Sequence, residues 1–216
     1  MSSSFRTLRQ GQEATAEIER RRSRFIAQFQ QVRGEREAKS YEQKVRSRHR
    51  DARHNVCAWV LSGGQKHCSD DGEPQHTAGP PVLDALCGAG LADVCCVVTR
   101  YFGGTLLGPG GLVRAYARAT EQAILAGEQA GLLITMELVT PVTCAVPYSA
   151  YGRVEHLVKA CSGKVSDVIF SEDVQLNCLF RTGDEDRFVS LIRDLTAGED
   201  LCKLGNPRFG EFRHGG

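Results

Sequence analysis

No run in this chain reaches the roughly 18 apolar residues that a membrane-spanning helix needs. The opening MSSSFRTLRQGQEATAEIERRR also lacks the apolar stretch of a secretion signal. The expected location is therefore the cytoplasm, with no membrane partner. No CxxC pair occurs among the nine cysteines, and an odd number cannot pair completely. Reduced thiols buried in apolar contexts such as Val94-Cys95-Cys96-Val97 fit better than a disulfide framework. There is no surplus of either charge. The 27 basic and 26 acidic residues give a net +1, so no global field demands nucleic acid and no acidic surplus suggests a solvating tail. Repeats and low-complexity segments are absent as well.

What is present is the make-up of an ordinary globular protein, 41% hydrophobic and 25% charged over 216 residues, enough for one or two domains. Residues 13–18 and 24–29 read as a hairpin turned by Arg20-Arg21-Arg22. Residues 35–49 read as an exposed helix with Ala38, Tyr41 and Val45 as a thin apolar stripe. Residues 55–61 and 94–99 read as buried strands. Between them lie a long polar loop over 62–79 and a short helix through Val82, Leu83 and Leu86. The helix after Pro109 carries Leu112, Tyr116, Ala119 and Ala123 on one face. From residue 136 onward the order becomes strand, helix, strand, strand, helix, strand, the last over 201–209. That is the split, ferredoxin-like β-α-β-β-α-β pattern. The fold class is α+β, with domains 1–134 and 135–216.

Two segments are candidates for chemistry. The first is residues 97–116, VVTRYFGGTLLGPGGLVRAY. It runs from a strand ending at Arg100, Tyr101 and Phe102, through Gly103, Gly104, Gly108, Gly110 and Gly111, into a helix bearing Arg114 and Arg118. Glycine permits positive φ and close approach, and a helix N-terminus presents unpaired N–H groups with partial positive charge. The segment can hold an anion, or its glycines can serve tight helix–strand packing. The Lys-Ser/Thr ending of a P-loop is missing, and Val113 stands where GxGxxG needs its third glycine. The arginines can contact phosphates of RNA or a nucleotide, or pair with the second segment. Tyr101 and Phe102 can stack a base, or pack in the core or at its rim.

The second segment is the polar loop from Ser69 to Gly79, containing Asp70, Asp71, Glu73 and Thr77. Its carboxylates can hold a hard cation such as Mg²⁺ beside a phosphate or do acid–base work. They can equally cap turns and the next helix. EF-hand spacing is absent. His54, His67 and His76 with Cys57 and Cys68 lack the close spacings of a structural zinc site. The clusters Arg20–Arg22 and Arg46, Arg48, His49, Arg50 are either solvated faces or contacts for RNA or a ribosome.

In order, these motifs closely resemble the YigZ/IMPACT family over residues 17–125. They are Ser23-Arg24-Phe25-Ile26-Ala27, His54-Asn55, Ser69-Asp70-Asp71-Gly72-Glu73-Pro74, Thr77-Ala78-Gly79, Arg100-Tyr101-Phe102-Gly103-Gly104, Leu107-Gly108 and Gly110-Gly111-Leu112-Val113-Arg114-Ala115-Tyr116. The remainder looks like the small C-terminal domain of the two-domain bacterial members. The resemblance implies an N-terminal α/β sandwich like the second domain of ribosomal small-subunit protein five. It also implies a C-terminal domain like the ferredoxin-like last domain of elongation factor G. Members commonly have Ser-Gly where this chain has Gln75-His76. Eukaryotic members regulate translation through protein–protein contacts, and bacterial members resemble nucleic-acid or ribosome-associated proteins in fold. A non-enzymatic regulator binding RNA, the ribosome or translation-associated proteins is therefore expected. The alternative is a Mg-dependent enzyme or binder acting on a nucleotide or phosphorylated small molecule. The first is favoured because no nucleophile–base pair and no complete phosphate motif can be named. No catalytic residue and no required cofactor is assigned.

Overall fold

The computed structural model describes residues 4–196 and 198–212. Two compact units divide the chain between Ile134 and Thr135, with Ser4 grouped with the second unit.

The N-terminal unit is built on one antiparallel sheet. Its elements are β1 (Ser4–Leu8), β2 (Glu13–Arg20), β3 (Ser23–Gln31), α1 (Glu35–Arg48), β4 (His54–Val60), β5 (Lys66–Cys68), α2 (Gly79–Gly88), β6 (Val94–Tyr101) and α3 (Pro109–Gln129). Five strands lie in the order β2-β3-β6-β4-β5. The unbroken apolar run of β6 follows from its central place, because both of its faces are covered. Cys95 and Val97 pack with Tyr41, Val45 and Trp59 under α1. Val94, Cys96 and Val98 face Leu86, Leu112, Tyr116 and Ala119 under α2 and α3. Alternation along the strand sends neighbouring residues to opposite faces.

Two strands of this unit went unread in the sequence. β1 has too little alternation to stand out; within it the Arg6 N–H donates to the Gly90 carbonyl and the Arg6 carbonyl accepts from Ala92. β5 falls inside the polar loop and is the three-residue edge of the sheet, paired with Ala58–Val60. A short, charged edge resists adding further strands.

The second unit contains β7 (Leu133–Val146), α4 (Tyr148–Ala160), β8 (Lys164–Phe170), β9 (Val174–Arg181), α5 (Glu185–Leu195), β10 (Cys202–Leu204) and β11 (Arg208–Glu211). β7 pairs with β9 and β9 with β8, while β10 and β11 pair antiparallel to β7. The order β10-β7-β9-β8 is the ferredoxin-like one for a β-α-β-β-α-β chain. The core lies between the sheet and the two helices, with Phe180 stacked on Phe188 at 4.8 Å and Val154, Val158 and Ile192 around them. The last strand, expected over 201–209, is two strands. Gly205, Asn206 and Pro207 interrupt it, and proline cannot donate to the ladder.

Candidate functional site: an arginine groove beside helix α3

The glycine-dense turn and the acidic loop do different jobs. Gly104 and Gly108 have φ of 83° and 70°, the left-handed region that favours glycine. Gly103 is required for another reason. A Cβ there would lie 2.0 Å from the carbonyl carbon of Arg22. Its N–H donates to Ser23 Oγ at 3.2 Å. The glycine thus lets the β2–β3 turn press against the chain leaving β6. That contact brings arginines 20 and 21 alongside the first turns of α3.

The result is a groove of about 560 Å³ lined by Arg20, Arg21, Gly111, Arg114, Arg118 and Glu121, with alanines and Leu107 completing the wall. On α3 the groove residues recur at helical spacing, opposite the face that buries Leu112, Tyr116, Ala119 and Ala123. Arg118 pairs with Glu121 at 3.4 Å, with both side chains about half exposed. Arg21 Nη1 donates to the Leu106 carbonyl at 3.1 Å and Arg20 Nη1 to that of Glu19 at 3.5 Å. No carboxylate among the described residues pairs with Arg20, Arg21 or Arg114.

The turn carries a further signal. Arg21 and Arg22 have φ of 47° and 64°. A two-residue hairpin with both central residues in that region is the I′ type, which favours Asn-Gly. Left-handed φ costs an ordinary residue roughly 1–2 kcal/mol. Arginines therefore occupy the two positions where backbone geometry least favours them.

Arg100, expected either at an anion or against the acidic loop, takes the second role. It is buried, and its Nη1 donates to both carboxylate oxygens of Glu73 at 2.8 and 3.0 Å. Glu73 also accepts from the Tyr116 hydroxyl at 2.7 Å. Burial, and the Glu73 carboxylate after it, push the Tyr116 phenol well above its usual range. Arg100 lies over the rings of Phe25 and Phe102 at 5.5 and 5.6 Å, and its Nε is buried without a partner.

The other acidic residues are also engaged within the unit. Asp70 accepts from the N–H groups of His76, Ala78 and Gly79 at 2.8–3.0 Å, closing the loop and capping α2. Burial pushes its carboxyl up, but the three N–H groups outweigh this and hold it below the usual range. Asp71 accepts from Arg46 at 2.9 Å and from the Asn55 N–H at 2.6 Å. Thr77 Oγ1 donates to the Pro74 carbonyl at 2.6 Å. His76 has φ of 62° at the position where the resemblance expects glycine. Among the described residues no three His, Cys, Asp or Glu side chains gather to hold a metal ion.

Tyr101 lies apart from the groove. Its hydroxyl donates to Asp51 at 3.2 Å, meets His49 Nδ1 at 3.0 Å, and Arg24 sits over its ring. Two arginines of the second basic cluster have carboxylate partners, while Arg50 donates to the Ser47 carbonyl. Arg46 pairs with Glu42 and Asp71, and Arg48 pairs with Glu13. Of the expected site residues, the structure gathers Arg114 and Gly111, with Gly110 beside Arg114, into the groove. Arg118, a phosphate candidate in the sequence, joins them, and the structure adds Arg20 and Arg21, which the sequence showed only as a basic cluster. Triple arginine in a hairpin turn was the available signal.

Residues 21–124 match the family described as the Impact N-terminal domain, and residues 144–199 match a domain of unknown function, DUF1949. The chain is 33% identical over 208 residues to the IMPACT family member YvyE of Bacillus subtilis, covering 95% of this chain and 93% of that one. It is 35% identical over 185 residues to YigZ of Escherichia coli, covering 82% and 87%. A solved structure described as that of a hypothetical protein aligns with TM-score 0.60 at 32% identity, over 94% of this chain and 97% of its own. No helix is long and apolar enough to cross a membrane among the described residues. With relatives at this identity along nearly its whole length, the chain belongs to the IMPACT family.

Proposed function

We propose that this protein is a non-enzymatic, translation-linked regulator that acts in the cytoplasm and binds RNA by its phosphates in the groove beside α3. The observation that carries the reading is the convergence of Arg20, Arg21, Arg114 and Arg118 on one open groove containing a single carboxylate. Arginine's planar fork suits phosphate oxygens, and the first turn of α3 at Gly110 and Gly111 adds helix N–H groups at the same end. The Mg-dependent alternative draws less support. Asp70, Asp71 and Glu73 each bond to different protein partners rather than facing a common point.

Titration of a labelled single-stranded RNA tests the reading. Single-strand binding falls with a slope of about 0.7 per neutralised phosphate, so four contacts make a fourfold rise in salt weaken affinity roughly 50-fold. Arg114→Ala should lower that slope by about 0.7 and weaken all sequences alike. Salt-insensitive binding, or unchanged binding by an Arg20→Ala/Arg114→Ala double variant, overturns it.

A further inference from the structure

The second unit carries a pair of thiols that the groove does not use. Cys144 on β7 and Cys202 on β10 are direct cross-strand partners. The ladder bonds fix which kind of partner. Ala145 N–H donates to the Leu201 carbonyl and Gly205 N–H to that of Pro141. Hydrogen-bonded pairs alternate with non-hydrogen-bonded ones along an antiparallel ladder, so Cys144 and Cys202 occupy a non-hydrogen-bonded pair. There the Cα atoms stand about 4.5 Å apart and the side chains lean together. That separation lies within the range a disulfide bridges without backbone movement.

The two thiols are not equivalent. Cys144 is buried, whereas Cys202 is partly exposed on the short strand β10. The interaction of the paired thiols pushes Cys144 up and, from the other side, lowers Cys202. Arg193 and Asp200 near Cys202 pair with each other at 3.1 Å and act on it in opposite directions. The thiol that is lowered is the reachable one, and its raised neighbour is shielded. A peroxidatic thiol and a resolving thiol divide their roles in this way.

We propose that Cys202 and Cys144 form a reversible oxidation site for hydroperoxides. The Cys202 sulfur attacks the peroxide, an S–O bond forms as the O–O bond breaks, and two electrons pass from sulfur to oxygen. This leaves a sulfenic acid and releases water, or an alcohol from an organic peroxide. The Cys144 sulfur then attacks the Cys202 sulfur. The S–O bond breaks, and the departing hydroxide takes the Cys144 proton to become water. The product is a disulfide that ties β10 to β7, and a dithiol reductant restores both thiols. Cys57 and Cys95 in the other unit have sulfurs 3.6 Å apart, but both are buried. Cys68 and Cys87 are comparably exposed, but each faces no thiol across a strand.

The test is peptide mapping of the full, pre-reduced chain after brief, limiting hydrogen peroxide, without reductant. The expected product is a Cys144–Cys202 cross-link that forms about tenfold faster than oxidation of Cys68 or Cys87. It disappears on treatment with dithiothreitol. Cys144→Ser should trap a Cys202 sulfenic acid that dimedone captures, and Cys202→Ser should leave Cys144 unmodified. If folded wild-type protein, verified by circular dichroism, oxidises at Cys68 or Cys87 first, the site is refuted. It is also refuted if Cys144→Ser yields no dimedone adduct at residue 202.

Discussion

Replacing the strained turn Arg21-Arg22 by Asn-Gly should make the protein more stable and less able to bind RNA. Both arginines hold positive φ, 47° and 64°. Each such residue costs roughly 1–2 kcal/mol relative to one that adopts the conformation freely. Against the relief stand two losses. Glycine at 22 adds about 0.5–1 kcal/mol of chain entropy to the unfolded state, and the exposed Arg21–Leu106 hydrogen bond is worth about 0.5–1 kcal/mol. The balance is a gain of about 1 kcal/mol, which for a chain of this size raises Tm by roughly 2–4 °C. Gly103 needs no change, because its close contacts at residue 22 are with backbone atoms. In the same variant the salt slope of RNA binding should fall by about 0.7, the contribution of one phosphate contact. Thermal melts followed by circular dichroism, with RNA titrations at two salt concentrations, read both effects. If the variant melts lower than the wild type, the strain argument is wrong. If it melts higher yet binds RNA with an undiminished slope, Arg21 does not face phosphate and the groove reading loses one of its four cations.

Two further perturbations probe the scaffold behind the groove. Glu73→Ala should cost about 3–5 kcal/mol in urea unfolding, because it leaves the buried Arg100 charge uncompensated, whereas Glu73→Leu combined with Arg100→Met should cost much less. Equal losses in the two would show that the pair itself stabilises the fold. Asp70→Ala should cost about 1–3 kcal/mol at neutral pH through the lost α2 cap. Since the folded Asp70 carboxyl titrates below its unfolded value, that contribution is complete above about pH 4 and fades as pH falls through the lower, folded value. The two proteins should therefore converge in acid, and a gap that persists or widens there would contradict the assignment.

Most elements were legible because their periodicities are strong. The α3 stripe and the β6 run each allow one reading, and the β-α-β-β-α-β rhythm after residue 135 needed only alternation and a turn at 171–173. The misses share a cause. β1 and the break between β10 and β11 are short pieces fixed by partners far along the chain, β5 is a three-residue edge folded back on β4, and three to five residues carry too little pattern to announce such pairing. The site was half legible. Its glycines and Arg114 stood in one stretch, but a sequence does not show that Gly103 lies against Arg22, about 80 residues away, so the turn arginines read as a separate cluster. Arg100 was ambiguous for a related reason. An arginine after an apolar strand faces either solvent or a carboxylate, and only the fold places Glu73 beneath it.

The near-zero net charge of +1 conceals how the charges are sorted. In the N-terminal unit the carboxylates most able to quench a cationic groove are committed elsewhere. Asp70 is held by three backbone N–H groups, Asp71 by Arg46 and the Asn55 N–H, and Glu73 by Arg100 and Tyr116. Glu13 and Glu42 likewise answer Arg48 and Arg46. What remains beside α3 is three arginines without a carboxylate partner and a fourth in an exposed pair of the kind worth at most about 1 kcal/mol. Exposed cations left together repel one another unless an anion joins them, and the Arg21-Arg22 turn adds backbone strain to that repulsion. A fold that tolerates both at one spot, while pairing Arg46 and Arg48 of its other basic cluster with carboxylates, carries there a feature that stability alone does not explain. Binding of phosphate would relieve the repulsion. RNA should accordingly raise the melting temperature of the wild type more than that of an Arg20→Ala/Arg114→Ala variant, in which less repulsion remains to be relieved and less affinity to relieve it.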